Sequence, residues 1–410
     1  MDSLSQITLG AAVGELFLGK KIGNRAMLWG AIAGTVPDLD VFANLFLNDL
    51  QGLLFHRGIT HSILFCVIGA LFFGFLVSKL YSSKFHRFFA IFTKLIASIV
   101  VLLILNIQNL VHFRAGSFSE ANYVLLAISS IVTFVLFAIH IKRKYLSGNW
   151  IKPKVSKGEW QWMIFWVLFT HIILDCFTLY GTQIFAPFSD YKVAWGTIAV
   201  ADPLYTVPFL LFLLAASFFR RDARFRSLLN NLGLSISCFY LAFTIFNKTQ
   251  INSQFEHELS LSEINANRYS TSATLLNNIL WTCTAESEYN YYIGEYSLLD
   301  EVPVNFHEIE KNHHLLKNID SDPTIKSMRW FSDDYFCITE SDEGLYFHDL
   351  RFGMLKNSDE EHSGYVMTFL LTESENGGYT MSSIKRGPKE DERENFLKNY
   401  WKRILGNKSS

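Results

Sequence analysis

The sequence predicts a polytopic α-helical membrane protein with a C-terminal soluble α+β domain. Half of its 410 residues are hydrophobic and only 18% are charged, which is unusual for a soluble enzyme. The apolar residues are concentrated before residue 247, and the remainder has the mixed composition of a water-exposed domain. We therefore expect a membrane-embedded domain over residues 1–247 and a soluble domain over residues 248–410.

Two short apolar stretches begin the first domain, at residues 4–19 and 26–37. As helices they would be about 18 to 24 Å long, which is less than a bilayer core of about 30 Å. Both are rich in glycine and alanine, residues that let helices approach each other closely. They predict a tightly packed or re-entrant helical hairpin.

Six longer apolar stretches follow, and each approaches the roughly 20 residues that a transmembrane helix needs. They lie at residues 61–80, 90–111, 122–141, 160–180, 203–219 and 228–247. One set of connecting loops holds 17 Lys and Arg residues, whereas the opposite set holds only Arg57, Arg114 and Lys192. Because basic residues accumulate in cytoplasmic loops, we expect the poorly charged loops and the C-terminal domain to lie outside the cytoplasm.

In the C-terminal domain, short apolar and aromatic runs alternate with turn residues, a pattern typical of an antiparallel sheet. The predicted strands are Tyr291–Leu298, Met328–Thr339, Gly344–Asp349 and Tyr365–Thr372. Helices are predicted at Leu259–Ala285 and Arg393–Arg403.

The second stretch of the hairpin ends in the sequence TVPDLD, where Asp38 and Asp40 follow the helix-ending Pro37. A carboxylate at a membrane boundary is costly unless water, a hydrogen bond or a cation compensates for its lost hydration. Taken alone, the two acids are better explained as solvated loop carboxylates, because a single DxD pair is a weak motif.

The next loop contains FHRGITHS, residues 55–62, which places two histidines near the bilayer edge. His56 and His61 are five residues apart, and Gly58 allows a turn that brings the imidazoles together. Imidazole nitrogen and carboxylate oxygen are the ligand types of hydrolytic metals. Arg57 is suited to bind a phosphate or carboxylate, or to anchor a lipid headgroup.

A third group of polar residues lies in and after the apolar stretch 160–180. His171 and Asp175 are four residues apart, so on a helix they share one face and can hold one ion or each other. A metal site, a structural hydrogen bond and a proton relay all remain open for this pair. Asp202 precedes Pro203 and a new apolar run, which suits either a helix N-cap or a metal role.

The ordered segments TVPDLD, FHRGITHS, HIILDCFTLYGTQIFAPF and ADP resemble the YdjM-type family, a group of LexA-binding, inner-membrane-associated proteins also called membrane-bound metal-dependent hydrolases. The resemblance covers roughly residues 1–220 and implies a bacterial inner-membrane location. Its pattern falls on Asp38, Asp40, His56, Arg57, Thr60, His61, Ser62, His171, Asp175, Thr178, Gly181, Pro187, Asp202 and Pro203. The segment DLRFG, residues 349–353, resembles the tail of a longer branch of the family.

Together, the residues and the resemblance predict a membrane-bound metal-dependent hydrolase that acts at the bilayer surface. An amphiphilic substrate is expected, with a phospholipid or a lipid-linked phosphoester as the first choice and a peptide or acyl ester as the alternative. The cofactor would be one or two divalent ions, zinc in first place and manganese or magnesium as alternatives. The predicted metal ligands are His56, His61, His171 and Asp175. Further ligands or catalytic groups are Asp38, Asp40 and Asp202, with Arg57 placing an anionic group of the substrate.

Two other functions compete with hydrolysis. An ion- or proton-coupled transporter would use similar intramembrane groups, but it would place them near the midplane, on broken helices in two related halves. Alternatively, the first domain is an anchor with a structural metal that carries an exported binding domain. The net charge of −2, without a basic face, gives no indication of nucleic-acid binding.

Overall fold

The helices of the first 261 residues follow the apolar stretches of the sequence. The computed structural model describes residues 1–83, 86–105, 120–143, 154–354, 364–374, 377–384 and 393–407. Within these ranges, Met1–Ala70 and Met163–Ser410 together form one compact unit, and Leu71–Trp162 form another.

The chain begins with a helical hairpin, α1 (Ser3–Ile22) and α2 (Asn24–Thr35). The helices touch through glycines, so closely that a Cβ atom on Gly30 would lie 2.1 Å from the carbonyl oxygen of Gly10. The turn between them is Gly23, whose φ of +62° favours glycine. The tight packing predicted from the small residues is therefore confirmed.

Replacing Gly30 with alanine is expected to destabilise this hairpin strongly. The added methyl would overlap the backbone of α1, and overpacking of this kind costs about 1–3 kcal/mol. The matched control is Gly158→Ala, because a Cβ there has no neighbour within 4 Å. Thermal unfolding in detergent should show a lower midpoint for Gly30→Ala alone. Equal midpoints for both variants would contradict the close approach.

The remaining helices of this part follow in chain order. They are a 3₁₀ helix Pro37–Leu45, α3 (Asp49–Phe55), a 3₁₀ turn Ile59–His61, α4 (Ile63–Ser82), α5 (His86–Leu105), α6 (Glu120–Ile141), α7 (Lys157–Cys176), α8 (Pro203–Ser217) and α9 (Arg224–Leu261). Among the described helices, α4 and α9 are long and apolar enough to cross a membrane, and Leu126–Ile141 and Pro203–Ser217 are shorter apolar segments. The six predicted crossings stay a prediction.

Helix α9 is 38 residues long and continues through the predicted domain boundary at residue 247. Just beyond that point, Lys248 Nζ donates hydrogen bonds to the carbonyl oxygens of Trp195 at 2.7 Å and Thr271 at 2.8 Å. The helix therefore joins the loop after α7 to the C-terminal part. The division of the chain at residue 247 stays a prediction.

The C-terminal part contains two four-stranded antiparallel sheets, each with its strands in sequential order. The first consists of β1 (Arg268–Ala273), β2 (Leu280–Glu286), β3 (Asn290–Ser297) and β4 (Phe306–Glu310). The second consists of β5 (Phe336–Ser341), β6 (Gly344–Met354), β7 (Tyr365–Glu373) and β8 (Tyr379–Ile384). Helix α10 (Pro323–Ser332) packs on the second sheet, and α11 (Arg393–Ile404) ends the described chain. The predicted α+β class of this part is confirmed.

Two elements of the C-terminal prediction are wrong. The helix predicted at Leu259–Ala285 is the end of α9 followed by β1 and β2, which pair with each other in an antiparallel ladder. The aromatic and threonine residues of LWTCTAE favour a strand. The strand predicted at Met328–Thr339 is half helix. Asp322 caps α10 by accepting a hydrogen bond from the Thr324 amide at 2.7 Å, and Pro323 occupies its first position.

Candidate metal centre

The loop that contains both histidines is organised by the buried carboxylate of Asp40. Its Oδ2 accepts hydrogen bonds from the Arg57 amide at 3.0 Å and the Thr60 hydroxyl at 3.3 Å, and its Oδ1 lies 3.0 Å from His56 Nδ1. Burial alone would raise the pKa of Asp40, but the hydrogen bond with His56 and the nearby imidazoles hold it below its usual value. Asp40 is therefore a carboxylate that fixes the loop.

The turn itself is made by Arg57 rather than by the neighbouring glycine. Arg57 has a φ of +57°, a conformation that non-glycine residues adopt only when their surroundings hold them there. Its amide is bound by Asp40, and its carbonyl oxygen accepts a hydrogen bond from the Gln183 amide at 3.1 Å. The turn brings His61 to the end of α7, where His171 and Asp175 lie.

Four side chains converge at this point: Asp38, His61, His171 and Asp175. His61 Nε2 lies 3.4 Å from Asp38 Oδ1 and 3.4 Å from Asp175 Oδ2. His171 Nε2 lies 3.5 Å and 3.3 Å from the same two oxygens, and the two Nε2 atoms are 3.3 Å apart. Both histidines and Asp175 are buried, and Asp38 is partly exposed.

The outer nitrogens of the two imidazoles determine their tautomers. His171 Nδ1 lies 2.8 Å from the Gly34 carbonyl oxygen, which only accepts, so this nitrogen carries the proton. His61 Nδ1 lies 3.1 Å from the Thr60 hydroxyl, which itself donates to Asp40. In the neutral imidazoles, both Nε2 atoms consequently present lone pairs to the centre of the cluster.

The centre is therefore lined by four acceptors. Among the residues that the structure describes, no hydrogen-bond donor pairs with Asp175 Oδ2, although it is buried. Burial raises the pKa of Asp38, but the contacts with His171 and His61 outweigh this effect and hold it well below the usual range. Burial lowers the pKa of His61, which favours the neutral imidazole. Such a set of groups needs a compensating positive charge, which a bound cation would supply.

The spacing of the four atoms matches a tetrahedral metal site. Ligand bonds of about 2.0–2.2 Å to zinc place neighbouring tetrahedral ligands about 3.3–3.6 Å apart. Five of the six distances between these atoms run from 3.3 Å to 3.5 Å, and all four atoms lie within 4.8 Å of one another. Two neutral imidazoles and two carboxylates are also a donor set that zinc accepts. The residues present therefore fit one divalent ion.

Asp175 Oδ1, the carboxylate oxygen that is not part of the cluster, is contacted by three other groups. Asp175 Oδ1 accepts a hydrogen bond from Gln6 Nε2 at 3.0 Å, lies 3.4 Å from the Arg57 guanidinium, and contacts the Met1 amino group. Arg57 also donates to the Thr178 hydroxyl at 2.7 Å. Its guanidinium is thus directed at Asp175 and orients that carboxylate.

The predicted site residues separate into two groups. The structure brings His61, His171, Asp175 and Asp38 together, with Asp40 and Arg57 binding their outer atoms. His56, predicted as a ligand, lies outside the four-residue cluster and is bound to Asp40. Asp202 caps α8, accepting hydrogen bonds from the Leu204 amide at 2.9 Å and the Tyr240 hydroxyl at 2.7 Å.

Tyr180 links the loop that contains the histidines to the C-terminal part. The Tyr180 ring lies 5.3 Å from the His56 ring on one side and 5.4 Å from the Phe331 ring of α10 on the other. Its face also receives the Arg57 guanidinium at 5.0 Å. In the DLRFG segment, Arg351 donates to the Phe331 carbonyl oxygen at 2.6 Å and thereby holds the end of α10 in place.

Gln6 and Tyr180 contribute to the site although the sequence did not single them out. Gln6 was indicated only by being a polar side chain in a helix of small and apolar residues. Tyr180 follows the HIILDCFTL segment directly. Their contacts depend on segments far away in the chain, so neither residue forms a motif by itself.

The two loop histidines provide a matched pair for testing the cluster. His61→Ala removes one of the four inward-facing atoms and is expected to abolish metal binding. His56→Ala leaves all four in place and should retain the metal with at most about 10- to 100-fold weaker affinity, since it removes only a partner of Asp40. Metal titration of the stripped proteins measures both. If His56→Ala abolished metal binding and His61→Ala retained it, His56 would be a metal ligand and His61 would not.

Comparison with known proteins gives a single family. The family described as YdjM inner membrane protein matches residues 1–251, which contain every member of the cluster. Neither the curated proteins nor the solved structures contain a significant match to the chain.

Proposed function

The chain belongs to the YdjM family of inner membrane proteins, and from the geometry of its polar cluster we propose that it is a membrane-bound metal-dependent hydrolase. The observation that carries this proposal is the convergence of two imidazole nitrogens and two carboxylate oxygens in a largely buried centre, where no donor in the described part of the chain pairs with Asp175 Oδ2. Zinc is the proposed metal, because the distances suit tetrahedral coordination.

The residues around such a centre would have different roles. Asp38, His61, His171 and Asp175 would hold the divalent ion, which would supply Lewis acidity for the activation of water and the polarisation of a substrate oxygen. Asp38 is the exposed member of the four, with a side chain that is 24% accessible, so substrate would approach from its side. Arg57 and Gln6 keep Asp175 oriented, and Asp40 contacts His61 Nδ1, which leaves Nε2 directed inward. The neutral form of His61 is favoured by its burial.

The position of the cluster at helix ends supports hydrolysis at a boundary over transport. His171 and Asp175 lie in the last turns of α7, and His61 directly precedes α4, which begins at Ile63. A transport site would be expected near the middle of the helices. The boundary position suits an amphiphilic substrate, and we propose a phospholipid or a lipid-linked phosphoester.

The decisive experiment compares metal-loaded protein with a variant that lacks one ligand. Wild-type protein, Asp175→Asn and the control His257→Ala, an exposed histidine of α9, are reconstituted with zinc. Each is incubated with a panel of phospholipids and polyprenyl phosphoesters, and the release of phosphate or headgroup is measured. Activity in the wild type and control but not in Asp175→Asn supports the proposal. Equal activity in all three, or none in the wild type, contradicts it.

We further propose that the protein is multi-pass, with the cluster and the C-terminal part outside the cytoplasm. The C-terminal part contacts the poorly charged loops, since Lys192 Nζ donates to the Phe331 carbonyl oxygen at 2.6 Å and the Ser383 amide donates to Asp49 Oδ2 at 2.9 Å. Both must therefore lie on one side of the membrane.

Reporter fusions test this topology. An alkaline phosphatase fused at the C-terminus is expected to be active, because it folds only outside the cytoplasm. The same enzyme fused in the basic loop at Asp222, between α8 and α9, should be inactive. A C-terminal fusion that is active only with a cytoplasmic reporter would overturn the proposed orientation.

A further inference from the structure

The 3₁₀ helix that carries Asp38 and Asp40 presents a second, apolar face. A 3₁₀ helix has about three residues per turn, so every third side chain points the same way. One such row is Leu39, Phe42 and Leu45, which are 51%, 60% and 75% exposed. We call these three residues, with the adjacent and exposed Phe46, the apolar stripe.

The opposite face of the same helix is bound to the site. Pro37 and Asp40 are buried, and Asp40 holds the histidine loop. The two acidic residues of the helix, Asp38 and Asp40, are both engaged with histidines of that loop. The stripe is therefore an uncharged surface on a segment that the site holds in place.

Neighbouring segments extend the apolar character. Helix α4 begins directly after the histidine loop, and its first turns expose Ile63, Val67 and Ile68. The loop after α7 is tied to the start of α4, since the Ile63 amide donates to the Ile184 carbonyl oxygen at 2.9 Å, and this loop exposes Phe188 at 84%. Exposed aromatic and aliphatic side chains of this kind are characteristic of membrane contact.

We propose that the apolar stripe inserts into the lipid bilayer at the boundary between headgroups and acyl chains. The family is one of inner membrane proteins, and α4 is a candidate span that starts beside the site. Four side chains are too few for a stable interface with a second copy, which buries about 800 Å² per partner. A charged partner is disfavoured because the stripe offers no charge.

Insertion of the stripe would set the depth of the cluster. An interfacial helix lies with its apolar face about 5–10 Å into the boundary between headgroups and acyl chains. Asp38 and Asp40 are adjacent to stripe residues in the chain, so their carboxylates would lie at the level of the headgroups. The lipid contact itself does not depend on hydrolysis, whereas access to a headgroup ester rests on the proposed function.

Lipid quenching tests the contact in the full-length protein. Cys238, which is exposed, is changed to serine, and the four buried cysteines are kept. Phe42→Cys or Phe46→Cys is then labelled with an environment-sensitive fluorophore; both positions are exposed, so little packing is lost. The protein is reconstituted in vesicles of phosphatidylethanolamine and phosphatidylglycerol, with bromine atoms on the acyl chains near the headgroup.

We expect bromolipid to quench most of the fluorescence at both stripe positions and iodide in the water phase to quench little of it. Ile68→Cys in α4 is the control for lipid contact, and Glu340→Cys, an exposed position in β5, is the control for water. A stripe probe that behaves like the Glu340 control overturns the proposal. Protection from both quenchers also overturns it, because another protein surface would then cover the stripe. Both results are independent of enzymatic activity.

Discussion

Protein purified with alanine at His171 or Asp175 is expected to lose its bound divalent metal. Each change removes one of the four inward-facing ligand atoms, and Asp175→Ala also leaves Gln6 and Arg57 without their shared partner. Elemental analysis should show about one ion per chain in the wild type and background levels in both variants.

A matched control is needed because these positions are buried. His257→Ala changes an exposed histidine of α9 and should retain the metal. Asp175→Asn preserves the size of the side chain and the acceptor for Gln6, so it separates loss of charge from loss of shape. Unchanged metal in folded His171→Ala and Asp175→Ala protein would count decisively against the cluster as a metal site.

Replacing Arg226 with alanine is expected to cause a large loss of stability. Arg226 forms a two-pronged ion pair with Glu15, with both N···O distances at 2.6 Å, and its NH1 donates to Asn24 at 2.6 Å. Both partners are buried between α1 and α9. Because Arg226→Ala leaves a buried carboxylate unpaired, it should lower the free energy of unfolding by about 3–5 kcal/mol.

Two further variants distinguish this effect from a general loss of charge. Replacing both partners, as Glu15→Leu with Arg226→Leu, should restore much of the lost stability, since no uncompensated charge remains. Arg220→Ala breaks an exposed pair with Asp222 and should change little. Denaturation of detergent-solubilised protein measures all three. If Arg226→Ala were as mild as Arg220→Ala, the pair would not be buried in the folded protein.

The long helices of the first 261 residues were predictable because they coincide with continuous apolar runs, and such runs give a strong local signal. The structure of the Leu259–Ala285 region was not predictable in this way. Its polar residues are compatible with a helix or a strand, and the choice between them depends on long-range pairing. Tyr269 pairs with Ala285, a neighbour that helical periodicity does not reveal. Local pattern therefore sufficed for the helices that follow long apolar runs, but it missed the short helix α3 and failed where the sheet is assembled from distant segments.

Prediction of the candidate site from the sequence was limited in the same way, because it depends on contacts between distant residues. The spacing of His171 and Asp175 indicated one shared face, and their side chains do share it. The relative placement of His56 and Asp38 could not be read from the sequence. It depends on the left-handed turn at Arg57 and on the Asp40 carboxylate, which contacts both loop histidines. These are tertiary effects that residue spacing does not encode.

The position of Tyr180 between His56 and Phe331 has a consequence for genetics. Substitutions in the two halves of the chain should not have additive effects, because both alter the packing of one ring. A change on α10, far along the chain from any ligand, can thus modify the phenotype of a change in the histidine loop. Suppressors of loop mutations are accordingly to be sought in the C-terminal sequence.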